Sequence, residues 1–177
     1  MLGLIASSAR NIRSSHVSWV PVEVSTLDES PLYAAAKENI VVAICAIDFA
    51  AQAADPSAHS HFRELAAANG CATGDKSNQL VVPLNLLLQM MQSNSSGSPH
   101  DKYQPSGFIF GPGRSATTVV SNMMASLSQA RMLTEANPLA VVVRSCMQQA
   151  PPGACNQDKS GELLRDLAAL YCADLFV

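Results

Sequence analysis

Charge is what this sequence has least of. Asp, Glu, Lys and Arg together make up 14% of the 177 residues, against 48% hydrophobic, a balance that excludes a disordered or solvated chain and leaves a weakly charged surface. Lys and Arg total 11 and never cluster, and the formal net charge is −3, so a basic nucleic-acid face is excluded. No Cys-x-x-Cys pair occurs. The five cysteines, Cys45, Cys71, Cys146, Cys155 and Cys172, are an odd count, which predicts free thiols in a reducing, cytoplasmic compartment and not a disulfide framework. No window approaches a membrane span, the longest apolar run (Ile40 to Ile47) having core length. The apolar start of the chain is too short for a secretory signal. Because Arg10, Arg13 and several serines precede the first acid, an organelle transit peptide stands as the alternative to a frayed soluble terminus. The length suits one domain with its own core.

Residues 1–92 read as a mainly helical region. Residues 1–31 are irregular, with Trp19 to Val24 as a short extended piece and Asp28-Glu29-Ser30-Pro31 as a helix-start signal. The alanine-rich run Tyr33 to Ala54 is apolar on nearly every face, as a buried helix is, although Ile40-Val41-Val42 also reads as strand. A second helix, His59 to Asn69, ends at Gly70. Leu80 to Pro83 is extended, and Leu84 to Gln92 is helical. Residues 93–105 form a polar linker. Residues 106–177 read as α/β: strand 107–111, a loop, helix 116–128, strand Arg131 to Thr134, helices 139–148 and 161–171, and the start of a third strand at Asp174 to Val177. A parallel sheet needs more strands than these, so either the N-terminal extended segments complete it or the chain is the front part of a longer protein.

The chemistry concentrates at Gly111-Pro112-Gly113-Arg114-Ser115-Ala116-Thr117-Thr118, between an apolar strand and a helix. Backbone N–H groups of a small-residue loop, a helix dipole and the Arg114 charge together suit an anion. The Walker pattern is absent: Ala116 stands at its second Gly and Thr117 at its Lys, which disfavours a kinase-like or ATP-hydrolysing loop. Gly113-Arg114-Ser115-Ala116-Thr117 sits where a nucleophile elbow would, but Thr117 replaces the second Gly and all four histidines (His16, His59, His61, His100) precede Ser115, so the hydrolase order fails.

Gly111-x-x-Arg114-Ser115-Ala116-Thr117-Thr118-Val119-Val120-Ser121-Asn122, with Leu133-Thr134-Glu135-Ala136-Asn137-Pro138-Leu139 after the next strand, resembles the P-loop sulfotransferase-like family between about Ser106 and Leu139. The resemblance implies a parallel P-loop sheet with flanking helices, 3′-phosphoadenosine-5′-phosphosulfate (PAPS) as donor, and a hydroxyl acceptor. It places Gly111, Gly113, Arg114, Ser115, Ala116, Thr117 and Thr118 around the 5′-phosphosulfate, Arg114 supplying charge to the transferring group. Glu135, at the carboxyl end of a strand, is then the general base; read without the resemblance, it is a helix N-terminal acid. No metal is required. The chain departs from the family at Ala116, where the family has Gly, and it ends before the family's 3′-phosphate-binding Arg and Ser.

A different class of reading is a non-catalytic helical interaction or assembly protein that self-associates and retains a degenerate anion loop, favoured by the apolar composition. The D-x-x-x-H-x-H run Asp55, His59, His61 reads as an exposed capping turn, because no second ligand cluster accompanies it. Met90-Met91 and Met123-Met124 read as core filling, and Lys159 and Arg165 as solvated charges.

Overall fold

A computed structural model of the chain describes residues 2–6, 17–72, 74, 76–93, 103–110, 116–127, 131–149 and 157–173. In chain order these form β1 (Leu2–Ala6), β2 (Val17–Thr26), β3 (Ile40–Asp48), α1 (Ala50–Ala54), α2 (Phe62–Ala68), β4 (Leu80–Pro83), α3 (Leu84–Ser93), β5 (Gly107–Phe110), α4 (Thr117–Ala125), β6 (Arg131–Thr134), α5 (Asn137–Arg144) and α6 (Gln157–Cys172). The class is mixed α/β. Two three-stranded sheets result, one ordered β5-β1-β6 and the other β2-β3-β4. Where a parallel P-loop sheet was expected, every ladder among the described residues is antiparallel.

The run Tyr33 to Ala54 corrects the helix expected there. Its centre is β3, and only Ala50–Ala54 is helical. Five of the nine β3 residues are β-branched, and Val41, Val42, Ala43, Ile44 and Cys45 are all buried, so both faces of the strand are covered. A strand buried on both faces has the same unbroken apolar pattern as a buried helix, and β-branching decides between them. Pro21 sits on edge strand β2, where the register with β3 shifts between Pro21 and Glu23, a position that tolerates a missing N–H. Residues 1–92 carry four strands where a mainly helical region was expected. The first of them, β1, lies between β5 and β6, so the N-terminus is built into the sheet of the C-terminal part. Asp174 to Val177 and most of the expected linker lie outside the described residues.

One apolar core joins the two sheets: Val42, Ile44, Leu65, Leu84, Leu87, Leu133, Leu139 and Leu167 belong to a single buried cluster. Tyr171 is fully buried in it, edge-on to Phe62 at 5.9 Å between ring centroids. Its hydroxyl has no hydrogen-bond partner, and burial holds the phenol well above its ordinary pKa. Lys37 clamps α6 from outside, its Nζ 2.6 Å from Glu162 and 2.8 Å from buried Asp166. Desolvation opposes the Lys37 charge, but the bonds to Asp166 and Glu162 outweigh it and leave its pKa raised.

A polar contact joins the sheets as well. The Gln52 side chain, 2% exposed, donates from Nε2 to the Met132 carbonyl (2.9 Å) and accepts at Oε1 from the Met132 N–H (3.3 Å). A side-chain amide thus pairs with the outer edge of β6 as another strand would, satisfying both backbone groups.

The cysteines correct a second expectation. Cys45 on β3 and Cys71 after α2 form a disulfide with their Cα atoms 6.3 Å apart, and Cys146 is also disulfide-bonded. Cys172 is the free thiol among the described residues. The pairing escaped the spacing rules because it is made by α2 folding back across β3.

Gln52→Ala leaves two buried backbone groups without partners. It is expected to lower stability to urea by about 2–4 kcal/mol, and a loss under about 0.5 kcal/mol would show that the contact is dispensable. Alkylation of the unreduced protein, mapped by mass spectrometry, is expected to spare Cys45, Cys71 and Cys146 even after denaturation. Cys172, whose thiol burial pushes up to about 12, should react only once the chain is unfolded. Labelling of Cys45 or Cys71 without reductant would refute the pairing.

Candidate functional site

β5 and β6 are each antiparallel to β1 and therefore run in the same direction. Gly3 of β1 faces Ile109 on one side and Thr134 on the other, so those two residues stand level, two strand spacings or about 10 Å apart. The carboxyl ends of β5 and β6 consequently lie at one end of the sheet, and the turn at Glu135 leaves β6 there.

Gly111, Gly113, Arg114 and Ser115 lie outside the described residues. The chain is described again from Ala116, the N-cap of α4, whose φ of 58° and ψ of 19° are left-handed. Its carbonyl accepts from the Val119 N–H (3.0 Å) and the Val120 N–H (3.2 Å), which starts the helix. Thr117 and Thr118 occupy the first turn, half-buried. One face of α4 packs inward through Ser121 and Ala125, while Val119, Val120, Met123 and Leu127 are exposed. With its amide oriented as the neighbours require, Asn122 donates to the Pro56 carbonyl (3.1 Å) and the Thr118 carbonyl (3.3 Å). The bond to Pro56 docks the middle of α4 on the turn between α1 and α2.

Glu135 is likewise left-handed, with φ 57°. It fills the turn between Thr134, the last residue of β6, and Ala136, the N-cap of α5, with Pro138 in the first turn beyond. Non-glycine residues at positive φ cost about 1 kcal/mol or more and concentrate where function holds them. The Glu135 carboxylate is not a bare helix-end acid: its Oε2 lies 3.5 Å from His61 Nδ1.

His61 is the N-cap of α2, with φ −114° and ψ 139°. Its backbone N–H donates to Glu64 Oε2 at 3.1 Å, and Ser60 Oγ donates to the same oxygen at 3.3 Å. Its imidazole is 31% exposed and stands beside Glu135. Asp55 makes the capping turn read from the sequence, its Oδ1 accepting from Ser57 Oγ (2.6 Å) and the Ala58 N–H (3.0 Å). Those bonds, Ser57 first, hold its carboxyl below the usual carboxylate range. The Nδ1 atoms of His59 and His61 and Thr134 Oγ1 are buried without a hydrogen-bond partner. Among the described residues no group of three or more His, Cys, Asp or Glu side chains could hold a metal ion.

Of the residues singled out from sequence, the described fold places Glu135 at the carboxyl end of β6 and Ala116, Thr117 and Thr118 at the start of α4, a helix that packs against β6. His61 was seen only as part of a capping turn. Nothing in the spacing of the sequence connects it to Glu135, because their meeting depends on how α2 packs against β6.

Glycine should relieve the backbone at both left-handed positions. Ala116→Gly and Glu135→Gly are each expected to stabilise the fold by roughly 0.5–1 kcal/mol. Gly70→Ala should do the reverse, since Gly70 has φ +72° and a Cβ there would meet Asn78 Nδ2 at 2.6 Å. Destabilisation by Ala116→Gly in a thermal melt would contradict the left-handed assignment.

No family model, curated protein or solved structure matches this chain, so what the site does has to be read from its own residues.

Proposed function

We propose that the carboxyl end of β5 and β6 is a sulfotransferase-like site, transferring a sulfuryl group from PAPS to a hydroxyl acceptor. The observation that carries the reading is Glu135, an acid held in a left-handed turn at the carboxyl end of β6, the sheet end at which β5 also finishes. The left-handed Ala116 supports it further, since the resembling family has Gly at that position. In the proposed reaction Arg114, Ser115, Thr117, Thr118 and the loop amides hold the 5′-phosphosulfate. Glu135 takes the proton of the acceptor hydroxyl. The acceptor oxygen bonds to sulfur while the bond from sulfur to the bridging oxygen breaks, and 3′,5′-diphosphoadenosine leaves with the electron pair. The disulfide-bonded Cys45, Cys71 and Cys146 favour an oxidising compartment over the cytoplasm for this activity. Among the described residues no helix is long and apolar enough to cross a membrane.

A second reading, a self-associating assembly protein with a degenerate anion loop, draws on the exposed apolar face of α4 and on β1 standing antiparallel between β5 and β6.

Calorimetric titration with PAPS separates the two. The sulfotransferase reading expects saturable binding that Arg114→Ala weakens by about tenfold or more, and turnover that Glu135→Gln removes while binding persists. No binding by the wild-type protein, or binding indifferent to Arg114→Ala, refutes it. A concentration-dependent dimer abolished by Met123→Glu would favour assembly.

A further inference from the structure

We propose that Asn69 is a self-modifying site: the Asn69-Gly70 pair converts spontaneously to aspartate or isoaspartate once the contact between α2 and β3 opens, and the product no longer rebuilds that contact. The inference is independent of the sulfotransferase reading.

Two structural demands meet at this pair. Asn69 is the C-cap of α2, and its side-chain amide is used in both directions. Oδ1 accepts from the N–H of Asp48, the last residue of β3 (2.9 Å), and Nδ2 donates to the Leu65 carbonyl (2.8 Å). An amide supplies that acceptor and that donor at once. The next residue has φ +72°, which calls for glycine. Its N–H donates to the Ala67 carbonyl (3.0 Å) and that of Cys71 to the Ala66 carbonyl (2.8 Å), the paired bonds that close a helix on a left-handed residue. Asn followed by Gly occurs once in the chain. It is also the most self-reactive setting for an asparagine, because no Cβ shields the glycine nitrogen from the preceding side chain.

The reaction needs no partner but water. The Gly70 nitrogen bonds to Asn69 Cγ while the Cγ–Nδ2 bond breaks, and ammonia leaves with the proton that Gly70 loses. Water then opens the five-membered imide at one carbonyl or the other, giving aspartate or isoaspartate. In the folded chain both reactants are engaged, the nitrogen with Ala67 and the amide with Asp48 and Leu65. The disulfide from Cys71 to Cys45 ties the following residue to β3 as well. Conversion therefore waits for a local opening. Afterwards a carboxylate has no hydrogen to give the Leu65 carbonyl, and its charge stands at the carbonyl end of α2, where the helix dipole repels it. Isoaspartate lengthens the main chain by one carbon and carries Gly70 away from Ala67.

The test uses the full chain with its disulfides intact, incubated in heavy-oxygen water either folded in buffer or unfolded in guanidinium chloride. Mass spectrometry with electron-transfer fragmentation follows the peptide containing Asn69 and separates aspartate from isoaspartate. The expected result is a mixture of both with heavy oxygen at residue 69, formed roughly tenfold or more slowly in the folded protein. Asn69→Asp installs one product directly and should lower the folded-to-unfolded ratio in a urea titration by roughly tenfold. No conversion in the unfolded chain, or equal rates in the two states, overturns the proposal, and so does an Asn69→Asp protein as stable as the wild type. Failure of Asn69→Asp to fold is the same loss carried further, and the two wild-type rates still decide whether the fold governs the reaction.

Discussion

The Gln52 amide, bonded to both backbone groups of Met132, is the contact on which the arrangement of this molecule turns. Apolar burial alone would press the two sheets together, but it is non-directional and tolerates sliding. Two hydrogen bonds to one residue of β6 do not. They fix where the β5-β1-β6 sheet stands relative to α1 and hence to β3, from whose end α1 departs. They also occupy the outer edge of β6, which would otherwise offer unpaired N–H and C=O groups to another chain. Because α2 follows α1 closely, that anchor also determines where His61 arrives relative to Glu135. A side chain that touches no candidate site residue therefore sets the geometry of the site.

Local signals were legible in the sequence and tertiary ones were not. Leu80 to Pro83, the helix from Leu84, the strand Arg131 to Thr134 and the glycine stop at Gly70 all stand where residue preferences put them, since each is decided within a few residues by turn chemistry or a short apolar run. The strand β3 was misjudged because burial on both faces erases the alternation that identifies a half-exposed strand. β1 escaped notice because a five-residue segment acquires its identity from the neighbours it pairs with. The same holds for the disulfide of Cys45 and Cys71 and for the approach of His61 to Glu135, where each partner is unremarkable in its own stretch. At the site, the strand–loop–helix order and the acid after β6 could be read directly, but the residue that faces that acid could not.

The left-handed backbone at Ala116 and Glu135 bears on how such a site persists. Each position disfavours its own residue by about 1 kcal/mol, which is appreciable in a domain of ordinary marginal stability. At Glu135 a glycine would remove the strain and the carboxylate together. The strain at Glu135 thus accompanies a carboxylate that glycine would not supply, whereas Ala116 carries only a methyl group and the same reasoning does not extend to it.

Tyr171 carries a consequence of another kind. Its phenol is held protonated by a core that offers the hydroxyl no partner, so ionisation must wait for that core to open. A folded-state pKa raised above the unfolded one contributes stability below the unfolded value of about 10 and withdraws it as the pH climbs further. The other tyrosines among the described residues, Tyr33 and Tyr103, are only half-buried. In alkaline solution the ultraviolet signature of Tyr171 phenolate thus becomes a clock internal to the protein, marking the moment at which the shared interior of the two sheets admits water.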